Sequence, residues 1–146
     1  MIVLNDRHQM CYTVPHNKGV PNLYPESAHF AAMPSVFATG FLVGLMEWVC
    51  IEHLDAAKHL DDGEGSLGLV IDMVHDAACS EGAVLDVNCV CIDIGKRSVT
   101  WQVEVYCQDV LMGHGKHKRV IVDKQKFANH VNNQTAVIGG KVIEWR

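Results

Sequence analysis

At 146 residues, with 49% apolar and 20% charged residues, the chain fits one domain whose core needs no disulfide or metal staple. A formal charge of −5 and the lack of a lysine/arginine stripe argue against nucleic acid and anionic membrane as partners, while leaving room for a local phosphate-binding patch. The start of the chain, MIVLNDRHQMCYTV, lacks the basic-then-apolar pattern of a secretory leader, so the expected setting is the cytoplasm, with six reduced cysteines acting mainly as small apolar groups.

Residues 2–14 read as a weak edge strand. All four prolines fall between Pro15 and Pro34, which predicts an irregular loop over 15–35. Leu23, Tyr24, Phe30 and Met33 in that loop either cover a pocket or simply pack on the sheet. From Val36 to Ile51 the only charge is Glu47, and the apolar run has no polar face. It predicts a helix buried on most sides, opened by Pro34 in its first turn and running to about Leu60. Gly40 and Gly44, four apart, would let another backbone approach it. DDGEG (61–65) breaks the helix. Four strand patterns follow, over 67–75, 84–94, 98–108 and about 111–122, with turns at 80–82 and 95–97. In the first, Leu67, Leu69, Ile71, Met73 and His75 share one face and Gly68 lies on the other. A short helix over about 123–133 closes the domain, assigned to residues 1–133. The tail, 134–146, is expected to be disordered or an edge strand. One long helix followed by consecutive antiparallel strands predicts an α+β architecture, the hotdog fold, with the helix wrapped by a curved sheet. Open sheet edges then predict a homodimer.

The charges on apolar faces are the chemical signal. A carboxylate in an apolar helix must be paired or protonated, which singles out Glu47. His75 ends the inward face of the first post-helix strand, so the two could meet as a general-base pair. Thr39 lies eight residues before Glu47, two turns along and about 80° around the helix. Each has a plainer role open to it: Glu47 pairing with Arg119, His75 as a satisfied core histidine, and Thr39 bonding the preceding turn. His114 and His117, three apart on a strand, point to opposite faces and do not suggest a shared metal. Lys116, Lys118 and Arg119 read as a solvated edge or a modest anion-binding patch. His53 and His59 suit the dipole at the helix end.

In LYPES (23–27), VFATGFLVGLMEW (36–48), GEGSLG (63–68), the strand ending at His75 with Asp76-Ala77-Ala78 after it, and GKHKRVIVD (115–123), the chain resembles the fluoroacetyl-CoA thioesterases, a branch of the hotdog acyl-CoA thioesterases. The resemblance implies hydrolysis of an acyl-CoA substrate without a cofactor. It implies catalytic roles for Thr39, Glu47 and His75, a thioester-holding backbone N–H at Gly68, and a substrate-side arginine at Arg119. Of the family's two gate phenylalanines the first falls on Phe30, but the second position is Met33. With Phe30, Met33, Phe37 and Phe41 able to crowd the acyl end, a small or medium acyl group is expected, and Leu23 is a further candidate for contact with the substrate. Two other functions stay open: a hotdog enoyl-CoA hydratase or dehydratase, and a non-catalytic binder of acyl-CoA or another small hydrophobic ligand.

Overall fold

Alternating apolar residues along four successive segments commit the second half of the chain to a sheet. In the computed structural model, which describes residues 1–146, they form β2 (Glu64–His75), β3 (Val84–Gly95), β4 (Ser98–Cys107) and β5 (Val110–Asp123). With β1 (Arg7–Thr13) they make one antiparallel sheet in the order β1-β3-β4-β5-β2. The N-terminal segment pairs along β3, as an edge strand should, and β2 forms the opposite edge.

The long helix, α3 (Thr39–Ala56), lies on one face of this sheet. Leu42, Leu45, Met46, Val49, Cys50 and Leu54 pack onto Leu85, Val87, Val99, Trp101, Val103 and Val105. The helix is shorter and less enclosed than its composition predicts. Residues 34–38 run outside it, with Ala38 as N-cap and Phe37 bridged to Gly19. At the other end Lys58 takes a positive φ of 48°. The His59 N–H then reaches the Leu54 carbonyl and the Lys58 N–H the Asp55 carbonyl, a Schellman closure that stops the helix at Ala56. Gly40, Gly44, Trp48 and Ile51 lie on its outer side. Gly40 is covered by the Leu23 side chain, whereas Gly44 meets nothing within 4 Å. No backbone occupies the approach that the glycine pair offers.

The proline-rich segment is not wholly irregular: it holds two single-turn helices, α1 (Val20–Leu23) and α2 (Ala28–Ala31), the second capped by Ser27. The last helix, α4 (Lys124–Ile138), is capped by Asp123 and runs five residues further than its pattern suggests. The rest of the tail is not a strand. Asn132 bonds both the N–H and the carbonyl of Ile143, and Trp145 packs against Phe127 and over Gly65. Gly65 is the residue that makes room for that ring. All six cysteines are unpaired, with Cys50, Cys89 and Cys91 in the core. No helix is long and apolar enough to cross a membrane.

One irregularity positions the site. The pairing of β2 with β5 shifts between Gly68 and Val70, so Leu69 is an extra residue in the ladder. Strict alternation puts Gly68 and His75 on opposite faces. The bulge reverses the alternation, so Gly68 lies opposite Arg119, Ile71 opposite His117 and His75 opposite Gly113. Gly68 and His75 both come to face the helix.

Candidate active site

Two clusters of polar side chains lie between α3 and β2. The first joins the start of the helix to the end of the strand. Thr39, the first residue of α3, has its Oγ1 2.8 Å from Nδ1 of His75, the last residue of β2. Gly113, paired with His75, leaves room for Leu42 of α3 to pack on the sheet here, since a β-carbon there would fall 2.8 Å from Leu42 Cδ2.

The second cluster is built around Glu47, two helical turns further along. A β-carbon on Gly68 would lie 2.5 Å from Glu47 Oε1, so the carboxylate occupies the space that any other residue at 68 would fill. Arg119 Nη1 is 3.8 Å and His117 Nε2 3.9 Å from the same oxygen. The guanidinium is held from behind. Its Nε donates to Ser66 Oγ at 2.8 Å, its Nη2 to the Ser66 carbonyl at 3.1 Å, and its Nη1 to His117 Nε2 at 3.1 Å. His117 Nδ1 in turn donates to the Val70 carbonyl at 2.8 Å. These partners admit only one state of the ring, neutral, with its proton on Nδ1. Burial drives the same way and holds the His117 pKa below its ordinary value. Burial also lowers that of Arg119, while the Glu47 charge opposes the shift. An arginine starts high enough to keep its charge at neutral pH.

Several expectations change here. Glu47 is not sealed inside the helix: its side chain is 36% exposed. It does not meet His75 within one chain, and the bases within 4 Å of it are His117 and Arg119. Eight residues of helix, about 12 Å, and seven residues of strand, about 23 Å, separate the two clusters. Arg119 is not part of a solvated edge. Period two puts His117 and Arg119 inward and buried, leaving Lys116 and Lys118 on the outer face. His114 points away from both, bonded to Asp76 at 2.6 Å. Sequence reasoning missed His117 and Ser66. The alternation within KHKR was the available signal, obscured by reading the run as one basic cluster.

The loop residues are spread out. Leu23 covers Gly40, next to Thr39. Phe30 pairs with Tyr24, ring centroids 5.4 Å apart, and Met33 is 53% exposed. Phe37 is buried and lines a small recess of about 190 Å³ with Tyr12, Phe41, Gly44 and Trp48. A larger cleft of about 690 Å³ runs past Arg119 between Trp48, Ser66, Lys124 and Trp145. A polar recess of about 560 Å³ sits at the β1 side of the sheet, among Arg7, Gln9, Asn88 and Glu104. It shares no residue with either cluster.

His53 and His59 do not serve the helix dipole as cations. His53 Nδ1 accepts from Trp101 Nε1 at 3.0 Å, and His59 Nδ1 accepts from the Ile2 N–H at 3.0 Å. Both donors require a bare nitrogen, and burial lowers both pKa values.

Residues 23–125 match the family model described as fluoroacetyl-CoA-specific thioesterase. The fluoroacetyl-CoA thioesterase of Streptantibioticus cattleyicolor is 39% identical over 132 residues, 90% of this chain and 94% of that protein. A solved structure of a fluoroacetyl-CoA thioesterase superposes with a TM-score of 0.88 at 38% identity, covering 92% of this chain and 98% of the other. A variant of such an enzyme in complex with fluoroacetate and CoA gives 0.82 at 39% identity, over 86% and 99% of the two chains. At 20% identity, a thioesterase-superfamily member from Thermus thermophilus shares the fold, with a TM-score of 0.81 over 93% and 95%.

Proposed function

The chain belongs to the fluoroacetyl-CoA-specific thioesterase family, and from that premise we propose that it hydrolyses CoA esters of small or medium acids at a site shared between two copies of itself. It is an acyl-CoA thioesterase: water and thioester give a carboxylate and free CoA, with no cofactor in the balance. In our reading Glu47 is the reacting carboxylate, either attacking the carbonyl carbon or taking a proton from the attacking water. The Gly68 N–H polarises the carbonyl, and Arg119 sets a positive charge beside the reacting carboxylate. His75, oriented by Thr39, delivers the proton to the leaving thiolate. Leu23, Phe30, Met33 and Phe37 bound the acyl end, and Met33 in place of a second gate phenylalanine leaves the fluorinated group without a rigid aromatic partner.

The observation that carries this reading is the exposed apolar edge between the two clusters. Leu69, Val70 and Val74 are 59%, 47% and 51% exposed on a twelve-residue edge strand, a surface that invites another strand. A second β2 laid antiparallel, with the two-fold at Asp72 and Leu69 left as the unpaired residue of the bulge, sets the partner's His75 opposite Gly68 and the partner's Val74 opposite Val70. The histidine–threonine pair of one copy then faces the Glu47 of the other, and the long separation within a chain ceases to matter. Unpaired thiols throughout the chain support a reducing, cytoplasmic setting.

Thiol release from an acyl-CoA panel tests both parts. Glu47→Ala and His75→Ala should each lose about 100-fold or more in turnover. Mixed and allowed to exchange subunits in equal amounts, the two dead variants should regain about a quarter of native activity, because each mixed dimer rebuilds one intact site. Near-native turnover by either variant alone refutes its role, and no recovery on mixing refutes the shared site.

A further inference from the structure

Arg119 stands next to Glu47 without bonding to it. A guanidinium and a carboxylate that are free to move close to about 2.7–2.9 Å, often through two parallel bonds. Here the nearest approach is 3.8 Å, although the carboxylate is partly exposed and the arginine is almost wholly buried. The cause is visible behind the arginine. Ser66 takes the Nε and Nη2 donors, and the His117 ring takes a donor from Nη1, the nitrogen nearest Glu47. His117 cannot drift from this position. Its Nδ1–H is pinned to the Val70 carbonyl, its ring lies nearly parallel to Trp101 at 6.4 Å, and it has no exposed surface.

We propose that His117 is a positioning residue that holds Arg119 back from Glu47, so that a cation stands beside the carboxylate while its lone pairs stay free for the reaction. The inference rests on Glu47 being the reacting group. An arginine closed onto Glu47 would occupy its lone pairs and make it a weaker nucleophile and base. Held one hydrogen bond short, it supplies charge without occupying the reacting oxygen. The unprotonated Nε2 of His117 is the acceptor that sets this distance.

Two substitutions separate the acceptor from the ring. In His117→Asn the amide can still donate to Val70 but presents nothing at the Nε2 position. In His117→Gln the side chain reaches that position with an oxygen that can accept from Arg119. The measurement is kcat and KM for thiol release from an acyl-CoA panel, after thermal melts establish folding. His117→Asn should lose about 10-fold or more in kcat with KM changed less than about 3-fold. His117→Gln should stay within about 3-fold of native kcat. A folded Asn variant with native kcat overturns the proposal, and so does a loss that falls on KM rather than on kcat. A Gln variant as impaired as Asn also overturns it. If the Asn variant does not fold, the Gln variant decides alone: native kcat upholds the proposal and lost kcat ends it. Glu47→Gln, run alongside, distinguishes the two failures. Native turnover there removes the role of Glu47 and this inference with it, whereas a dead Glu47→Gln beside a native Asn variant removes only the inference.

Discussion

Gly68 and Glu47 share one small volume, and the way each residue became recognisable differs. Glu47 stands out in the sequence because a lone charge in an apolar run demands an explanation, and its surroundings supply one in Arg119 and His117. Gly68 carries no such signal. Its reason for being glycine is a distance, the 2.5 Å that would separate a β-carbon from the carboxylate oxygen. A methyl group there must push Glu47 aside. Gly68→Ala should therefore fold with little change in melting temperature yet lose about 10-fold or more in kcat, since small misplacements of reacting groups are costly. Native kcat in that variant would mean that the contact has no bearing on turnover. His117 was overlooked for a different reason. A histidine between two lysines looks solvated until strand alternation is imposed residue by residue.

Among the elements, the apolar composition of residues 36–51 announced the helix but not its ends. Those are set by the Gly19 bridge to Phe37 and by the turn at Lys58, contacts that composition does not report. The histidines around this helix and the sheet beneath it share a property. His53, His59 and His117 each accept a hydrogen bond through a nitrogen that must stay unprotonated, and burial holds all three below the ordinary histidine value. The unfolded chain binds protons near pH 6.5 that the folded chain refuses. Their contribution to stability is complete above that pH and falls as pH drops through it toward the folded values. The melting temperature should therefore decline from about pH 7 to pH 5, before carboxylates matter. The depressed carboxyl of Glu64, held by the Asp61 N–H and by Arg97, acts in a lower window, below its usual 4.5. A melting temperature level over the upper window would refute the histidine account.

At the scale of the molecule, the α+β layout followed from the pattern of apolar residues, while the place of β2 beside β5 rather than β3 did not, because periodicity reports faces and not partners. An edge strand of Leu69, Val70, Ile71 and Val74 is a liability for an isolated chain and an asset for a pair. Val70 and Val74 lie on the outer face with Asp72, opposite Lys118, His114 and Lys116. Replacing both valines with glutamate gives each copy local cationic neighbours, so the single chain should remain folded. Across a symmetric β2 pair the same acids repel. Sedimentation should show a shift toward monomer, with thiol release falling in step. A monomer with full activity would refute a site that needs two chains.

The extra residue at Leu69 carries a last implication, about parity. Glu47 contacts Gly68 and Thr39 contacts His75 from the same side only because an odd count along the strand was made even by one unpaired residue. Removing Leu69 would leave a strand of better regularity, and it would turn one half of the chemistry outward. Single-residue insertions or deletions between 68 and 75 are therefore closed to this enzyme, although the sheet itself would tolerate them.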